Sequence, residues 1–415
     1  HAMVRMKATV SLGRLGDVRA IPQLIKALSD SARAVRVQAP FALMDLGYID
    51  QTTDAFQKAL AEHRDVVASV QSDDPGFHES LGQVYERQGQ FDAAAREFQI
   101  VAKLDPGHPE TKADWVRLQK ERDLFAQMIG HFGIEKLAVL RGAALVQYGR
   151  YEEAAEVLKN KSDGSAMFWT TVGNAQWGSG HRDKALDAYL QALDVVPAFR
   201  PAVQRLVQMA FSETVRGEVE DVYDELPTVE WIDRGITAVR QKKWNQARMY
   251  FGAALDRERR GDVSFALSEK TRSAVQTLPD SVFAAGGAAY ELGDLEGALS
   301  AYVQVVKLDP ERTDAYTLMG LIKADQGAFL QAEQHLYDAL LVDVSYVPAL
   351  TILGTVFQER NDLDAALALY RQAWALEPSA AGVELFMGQV YMMQSNRDSA
   401  RAVLSRVVKR EPNHE

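Results

Sequence analysis
The residue types best suited to chemistry are few and scattered along this chain. Glu152 and Glu153 are adjacent, and Glu218, Glu220 and Asp221 form a second acidic group. Paired carboxylates do general acid–base work when one of them is buried and shifted toward neutrality. Both groups lie in polar stretches between apolar positions, which predicts solvated helix faces. The eight histidines are dispersed, no His-Glu-x-x-His occurs, and no two histidines share a helical face at metal-ligand spacing. His78-Glu79 is an isolated pair at a predicted helix start. No Gly-x-Ser-x-Gly elbow is present, and the nearest glycine cluster, Gly286-Gly287, lacks a following Gly-Lys-Ser/Thr. The basic run Arg257-Glu258-Arg259-Arg260 is interrupted by acid and has no interleaved aromatics, so a surface turn is expected there. With no cysteine there are no disulfides, zinc fingers or thiol nucleophiles. No catalytic residue, metal ligand or cofactor-binding residue is therefore expected, and no cofactor.

The elements around these residues are far more regular than the residues themselves. Gly286, Gly320, Gly354 and Gly388 recur every 34 residues. Ala298, Ala332, Ala366 and Ala400 keep the same period, as do Tyr302, Leu336, Tyr370 and Leu404. Pro310, Pro378 and Pro412 fall on it too, with Val344 in the remaining slot. Earlier units are less regular. One runs from about Pro75 to His108 with Gly82, Gly89, Phe91, Ala94, Phe98 and Pro106. Another starts near Glu135, with Gly142, Gly149 and Ala154. A third covers about Ala166 to Phe199, with Gly173, Gly180, Ala185 and Tyr189. A fourth begins near Thr228, with Gly235, Ala247 and Phe251. That makes eight units. Stretches 109–134, 200–227 and 262–278 read as helical without the signature.

A 34-residue period of Gly, Ala and terminal Pro resembles the tetratricopeptide repeat (TPR), a helical hairpin that buries its open apolar face by stacking. The glycine then marks where the second helix approaches closely, and proline ends that helix. The first 66 residues differ. Val4-Arg5, Ala8, Leu12 and Leu15-Gly16 recur as Val35-Arg36, Ala39, Leu43 and Leu46-Gly47, a spacing of 31. This resembles the short bacterial HEAT repeats of phycobilin lyases, with Pro40 expected to kink the second copy. The resulting expectation is an all-α solenoid. It has HEAT-like repeats over 1–66, a TPR array with degenerate helices over 67–261, a connecting helix over 262–278 and four regular units over 279–415.

The resemblance implies that the first helix of each hairpin lines a groove that takes a peptide segment or helix of a partner protein. The repeat phase places Asn174 and Trp177 there in the third unit. It places Ile232, Ile236 and Arg240 in the fourth, and Tyr290, Asp325, Gln358, Gln389 and Met393 in the last four. Family members that clamp the acidic C-termini of chaperones use Lys, Arg and Asn at these positions. Here the positions are mostly apolar, neutral or acidic, so that activity is not expected. The apolar wall of the fourth unit is either an interaction site or is covered by helix 200–227 or 262–278.

The chain has 415 residues and a formal charge of −11. Such a surface repels phosphates and anionic lipid, so neither nucleic acid nor a membrane surface is the expected partner. No apolar run reaches the roughly 18–20 residues needed to span a bilayer. His1-Ala2-Met3 reads like the scar of an expression tag. The repeat is already under way at Val4, so a fragment is expected, with room upstream for a membrane anchor. The compartment, bacterial cytoplasm or periplasm, stays open. The functional expectation is a non-catalytic scaffold for protein–protein interaction in a bacterial envelope or secretion assembly, such as exopolysaccharide export. The alternative is a cytoplasmic adaptor holding a soluble enzyme. An accessory subunit of a lyase-type enzyme ranks last.

Overall fold
The computed structural model describes residues 2–48, 53–69, 75–87, 90–105, 109–161, 164–197, 199–212, 228–259, 277–378 and 381–410. These contain α-helices, short 3-10 turns and no β-strand. Pro106, Pro412, Gly89, His108, the acidic group Glu218, Glu220 and Asp221, Arg260 and most of the connecting stretch 262–278 lie outside the described residues.

The N-terminal segment folds as α1 (Ala2–Leu15), a 3-10 turn (Val18–Ala20), α2 (Ile21–Ala27), α3 (Arg33–Arg36) and α4 (Ala39–Asp45). Pro40 does not kink a helix. It lies in the first turn of α4, where its missing N–H is not needed, and the second HEAT-like copy is split into α3 and α4 ahead of it. Then come α5 (Asp54–Ser69), the hairpin α6 (Pro75–Arg87) with α7 (Phe91–Leu104), and the long α8 (Pro109–His131). The remaining helices alternate as hairpin arms: α9 (Ala138–Gln147) and α10 (Tyr151–Leu158), α11 (Ala166–Gly178) and α12 (Arg182–Val195), a single α13 (Arg200–Ser212), α14 (Thr228–Arg240) and α15 (Trp244–Arg259). Four regular hairpins close the chain: α16 (Thr277–Glu291) with α17 (Leu295–Leu308), α18 (Thr313–Asp325) with α19 (Phe329–Val342), α20 (Val347–Glu359) with α21 (Leu363–Leu376), and α22 (Ala381–Met393) with α23 (Arg397–Arg410).

One contact recurs in eight of these hairpins. A glycine of the first arm faces a bulky side chain sixteen residues later: Gly82 with Phe98, Gly142 with Leu158, Gly173 with Tyr189, Gly235 with Phe251, Gly286 with Tyr302, Gly320 with Leu336, Gly354 with Tyr370, Gly388 with Leu404. A Cβ on Gly320 would stand 2.6 Å from Leu336 Cγ, and one on Gly354 would stand 2.5 Å from Tyr370 Cε1. The periodic alanines are buried beside this contact in the second arm.

The turn between arms is also periodic. Gly293, Gly327, Asn361 and Ser395 all take left-handed φ, between 59° and 77°. They let the next amide reach back, as in Asp294 N to the Ala289 carbonyl at 2.9 Å and Asp362 N to the Phe357 carbonyl at 2.8 Å, which satisfies helix-end carbonyls. Asp294 then caps α17 by accepting from Gly297 N at 2.9 Å.

The described chain divides into two compact units, 1–119 with 148–155 and 172–277, and 120–147 with 156–171 and 278–415. The first holds the HEAT-like segment and hairpins α6–α7 and α14–α15. The second holds the four regular hairpins, with His131 at the end of α8 sharing a 3.0 Å hydrogen bond with the buried Gln372 of α21.

Two predictions follow from packing. Gly354→Leu forces Tyr370 out of its place, and overpacking of this kind costs about 1–3 kcal/mol or more. A chemical-denaturation curve unchanged by Gly354→Leu would show that the hairpin contact has been misread. The second concerns His63 of α5, which is 1% exposed and packs edge-on against Phe41 at 4.9 Å between ring centroids. Burial pulls its imidazole down to about 4 from 6.5. Between those two values the unfolded chain binds a proton that the folded chain refuses. Stability therefore falls as pH drops through this window, by at most about 1.4 kcal/mol per unit. Urea unfolding between pH 7 and 4 should show His63→Phe with a shallower pH dependence than the unaltered protein; identical slopes would remove His63 from the account.

Candidate protein-interaction surface
The packing glycine fixes which residues of each first arm turn away from the second arm. One position lies three residues before it, and others lie one, four and five residues after it. These positions of α11 are Thr170, Asn174, Trp177 and Gly178. In α14 they are Ile232, Ile236, Val239 and Arg240. In α22 they are Leu385, Gln389, Met392 and Met393.

In the first unit these positions are closed by the chain itself. Trp177 was expected at a partner surface, but it is 0% exposed. Its indole meets the Tyr48 ring edge-on at 5.9 Å and the Tyr189 ring at 6.3 Å. Asn174 is half-buried and accepts a hydrogen bond from the Tyr189 hydroxyl at 2.9 Å. The HEAT-like end that supplies Tyr48 is held by α13 as well. Arg205 Nη1 donates to the Gly47 carbonyl at 3.0 Å, and Gln208 Nε2 donates to the Leu46 carbonyl at 3.2 Å. These carbonyls follow the C-terminal end of α4, whose Leu43 and Met44 carbonyls are met locally by Tyr48 N and Gly47 N, so side chains of α13 add to that local cap. Arg19 adds a salt bridge to Asp256 of α15 at 2.5 Å while also holding Asp17. Ile232 and Ile236 of α14 are buried too, so the apolar wall of the fourth unit is not free surface. Arg240 is exposed and pairs with Asp194 at 2.7 Å. Trp177, Ile232 and Ile236 are thus corrected from partner contacts to interior residues of this unit. Nothing local marks Tyr48, Arg205 or Gln208, because each acts on a part of the chain remote in sequence.

The second unit differs. The Tyr290 hydroxyl donates to Asp325 Oδ2 at 3.1 Å, linking α16 to α18. Its phenol is pushed up by partial burial first and by that carboxylate second. Gln358 accepts from the Tyr370 hydroxyl at 3.1 Å. Arg312 bridges Asp280 and Asp314, and its guanidinium lies 4.8 Å from the centroid of the Phe283 ring. On α22, Gln389 is exposed, and Leu385, Met392 and Met393 are 42%, 63% and 50% exposed. Tyr290, Asp325, Gln358, Gln389 and Met393 therefore lie on first arms with surface still accessible. Such a face offers hydrogen bonds, carboxylates and soft apolar contacts. Among the described residues no group of three or more His, Asp or Glu is arranged to hold a metal ion.

Tetratricopeptide-repeat family models match residues 42–109, 286–327 and 357–415. A PBS lyase HEAT-like repeat matches residues 4–30. A TPR repeat-containing protein of Methanocaldococcus jannaschii is 24% identical over 229 residues, 50% of this chain and 38% of that protein. A BBSome complex member of Caenorhabditis elegans is 36% identical over 83 residues, 20% of this chain and 18% of that protein. The chain thus spans well under half the length of either relative. Among solved structures, that of the MamA protein is 18% identical, covering 45% of this chain and 92% of its own with a TM-score of 0.31. The chain carries tetratricopeptide-repeat units and, at its N-terminus, a PBS lyase HEAT-like repeat.

Proposed function
We propose that this chain is a non-catalytic scaffold that holds a protein partner within a bacterial envelope or secretion assembly, of the kind that exports exopolysaccharide. TPR proteins act as scaffolds for protein–protein interaction, and here the observation that carries this role is the open face of α22. Three large apolar side chains stand on a well-formed helix without cover from the described chain, and exposed apolar patches of this sort are usual at docking sites. The envelope reading rests on the pairing of TPR with short bacterial HEAT-like repeats. Among the described residues no helix is long and apolar enough to cross a membrane, so any seat at the envelope runs through a partner or a segment outside them.

Two sets of variants test the scaffold. A photo-crosslinking amino acid at Gln389, in cells of the source organism, should give one dominant adduct in the membrane fraction; an adduct solely with a soluble enzyme would replace the envelope reading with the adaptor. Replacing Trp177 with Ala should cost about 3–5 kcal/mol of folding stability, the range for a buried aromatic. Tyr290→Ala should leave folding nearly intact and weaken capture of the crosslinked partner by about 2 kcal/mol if it anchors the interface. Should Tyr290→Ala melt early and bind normally once folded, the first arms of the second unit are not the docking face.

A further inference from the structure
The same repeat position has opposite fates in the two units. Trp177 and Met392 each lie four residues after the packing glycine of a first arm. Trp177 is 0% exposed, with Tyr48 of the HEAT-like end and Tyr189 of its own hairpin against its ring, whereas Met392 is 63% exposed. The first unit therefore displays this surface occupied. An aromatic ring seats on the +4 position, and polar side chains of the neighbouring α13 grip the visitor's backbone carbonyls. In the second unit the equivalent face stands open, and its charge limits what can fill it.

One position further along, at +5, the regular hairpins carry Glu291, Asp325 and Glu359, followed by Met393. Each of the three carboxylates is the last residue of its helix. The C-terminal end of a helix carries partial negative charge, so an acid there is disfavoured. Folding alone gives no reason for three in phase. None of the three forms an ion pair among the described residues, and Asp325 only accepts the Tyr290 hydroxyl. By contrast, Asp280 and Asp314, at the other end of the first arms, are neutralised by Arg312. The background is acidic as well. Residues 280–393 hold sixteen Asp and Glu against five Lys and Arg, an excess equal to the net charge of the entire chain.

We propose that the open face of α16, α18, α20 and α22 docks a cationic, amphipathic segment of a partner protein, its basic side chains meeting Glu291, Asp325 and Glu359 and its apolar side chains resting on Leu385, Met392 and Met393. This deepens the scaffold reading and rests on it. Packed helices lie about 8–10 Å apart, and a chain in the polyproline II form has three residues per turn and advances about 3.1 Å per residue, so cations at every third residue share one face and keep step with the carboxylates. A segment of neutral or acidic sequence has no counter-charge for this row.

The test uses the full chain and three fluorescent 12-residue peptides: Lys-Leu-Ser repeated four times, and the same peptide with every Lys replaced by Glu or by Ser. Fluorescence polarisation should show binding of the Lys peptide alone, weakening as salt rises from about 0.05 M to about 0.5 M. The triple variant E291Q/D325N/E359Q should lose at least about tenfold in affinity, as expected for three exposed charge pairs, with an unchanged or slightly raised melt. M392Q/M393Q should weaken the same peptide, whereas E296Q/E311Q, which alters acids off the first arms, should not. Equal affinity of the triple variant, equal binding of the Glu peptide, or no binding of the Lys peptide overturns the proposal. Binding of the Ser peptide as tight as that of the Lys peptide, lost in M392Q/M393Q, would overturn the charge assignment while leaving the scaffold standing. Failure of the scaffold itself would show separately, as absence of any partner adduct at Gln389.

Discussion
Everything in this fold hangs on the close approach of two helices at a glycine. A side chain of Phe, Tyr or Leu, sixteen residues after the glycine, fills the place its Cβ would take. The contact does two things at once. It sets the spacing between arms, and by fixing the roll of the first arm it decides which residues turn outward. The +1, +4 and +5 positions are outward because the glycine is inward. The outward face of the first arms is thus a consequence of hairpin packing.

This explains what was legible in the sequence and what was not. A period carries information about neighbours within one repeat. Gly320 with Leu336 and Gly354 with Tyr370 could be placed from spacing alone, and so could the burial of Ala332 and Ala366. The left-handed turn is taken by Gly293 and Gly327 but equally by Asn361 and Ser395, so glycine spacing alone does not mark it. Pro40 misled because its local meaning depends on whether a helix is passing through or beginning, and α4 begins there. The fate of Trp177 was not legible at all. Phase assigns it to a partner surface, and phase cannot say that Tyr48 comes to cover it. Contacts between distant parts of a chain leave no periodic trace.

The seat of the HEAT-like end also shows how such a face recognises a visitor. An aromatic contact contributes area, and Arg205 and Gln208 read main-chain carbonyls. Leaving the buried Leu46 carbonyl unmet would cost about 1–3 kcal/mol, so its bond to Gln208 favours one register of α4 over its neighbours. Recognition through the backbone places few demands on the visitor's side chains, and selectivity must then come from elsewhere.

In the second unit charge can supply that selectivity. Hydrogen bonds between Tyr290 and Asp325 and between Tyr370 and Gln358 hold polar groups of adjoining arms in fixed positions, so the face is ordered before anything arrives. Pre-ordering lowers the entropy a partner must surrender on binding. Exposed methionines on α22 add contacts that adapt to shape, and carboxylates at helix ends add a field that does not. A face built in this way tolerates many apolar sequences and discriminates by sign of charge. A scaffold that must hold its partner firmly yet release it needs that combination, because the apolar contacts set how tightly the partner is held and the ionic ones set how quickly it is found.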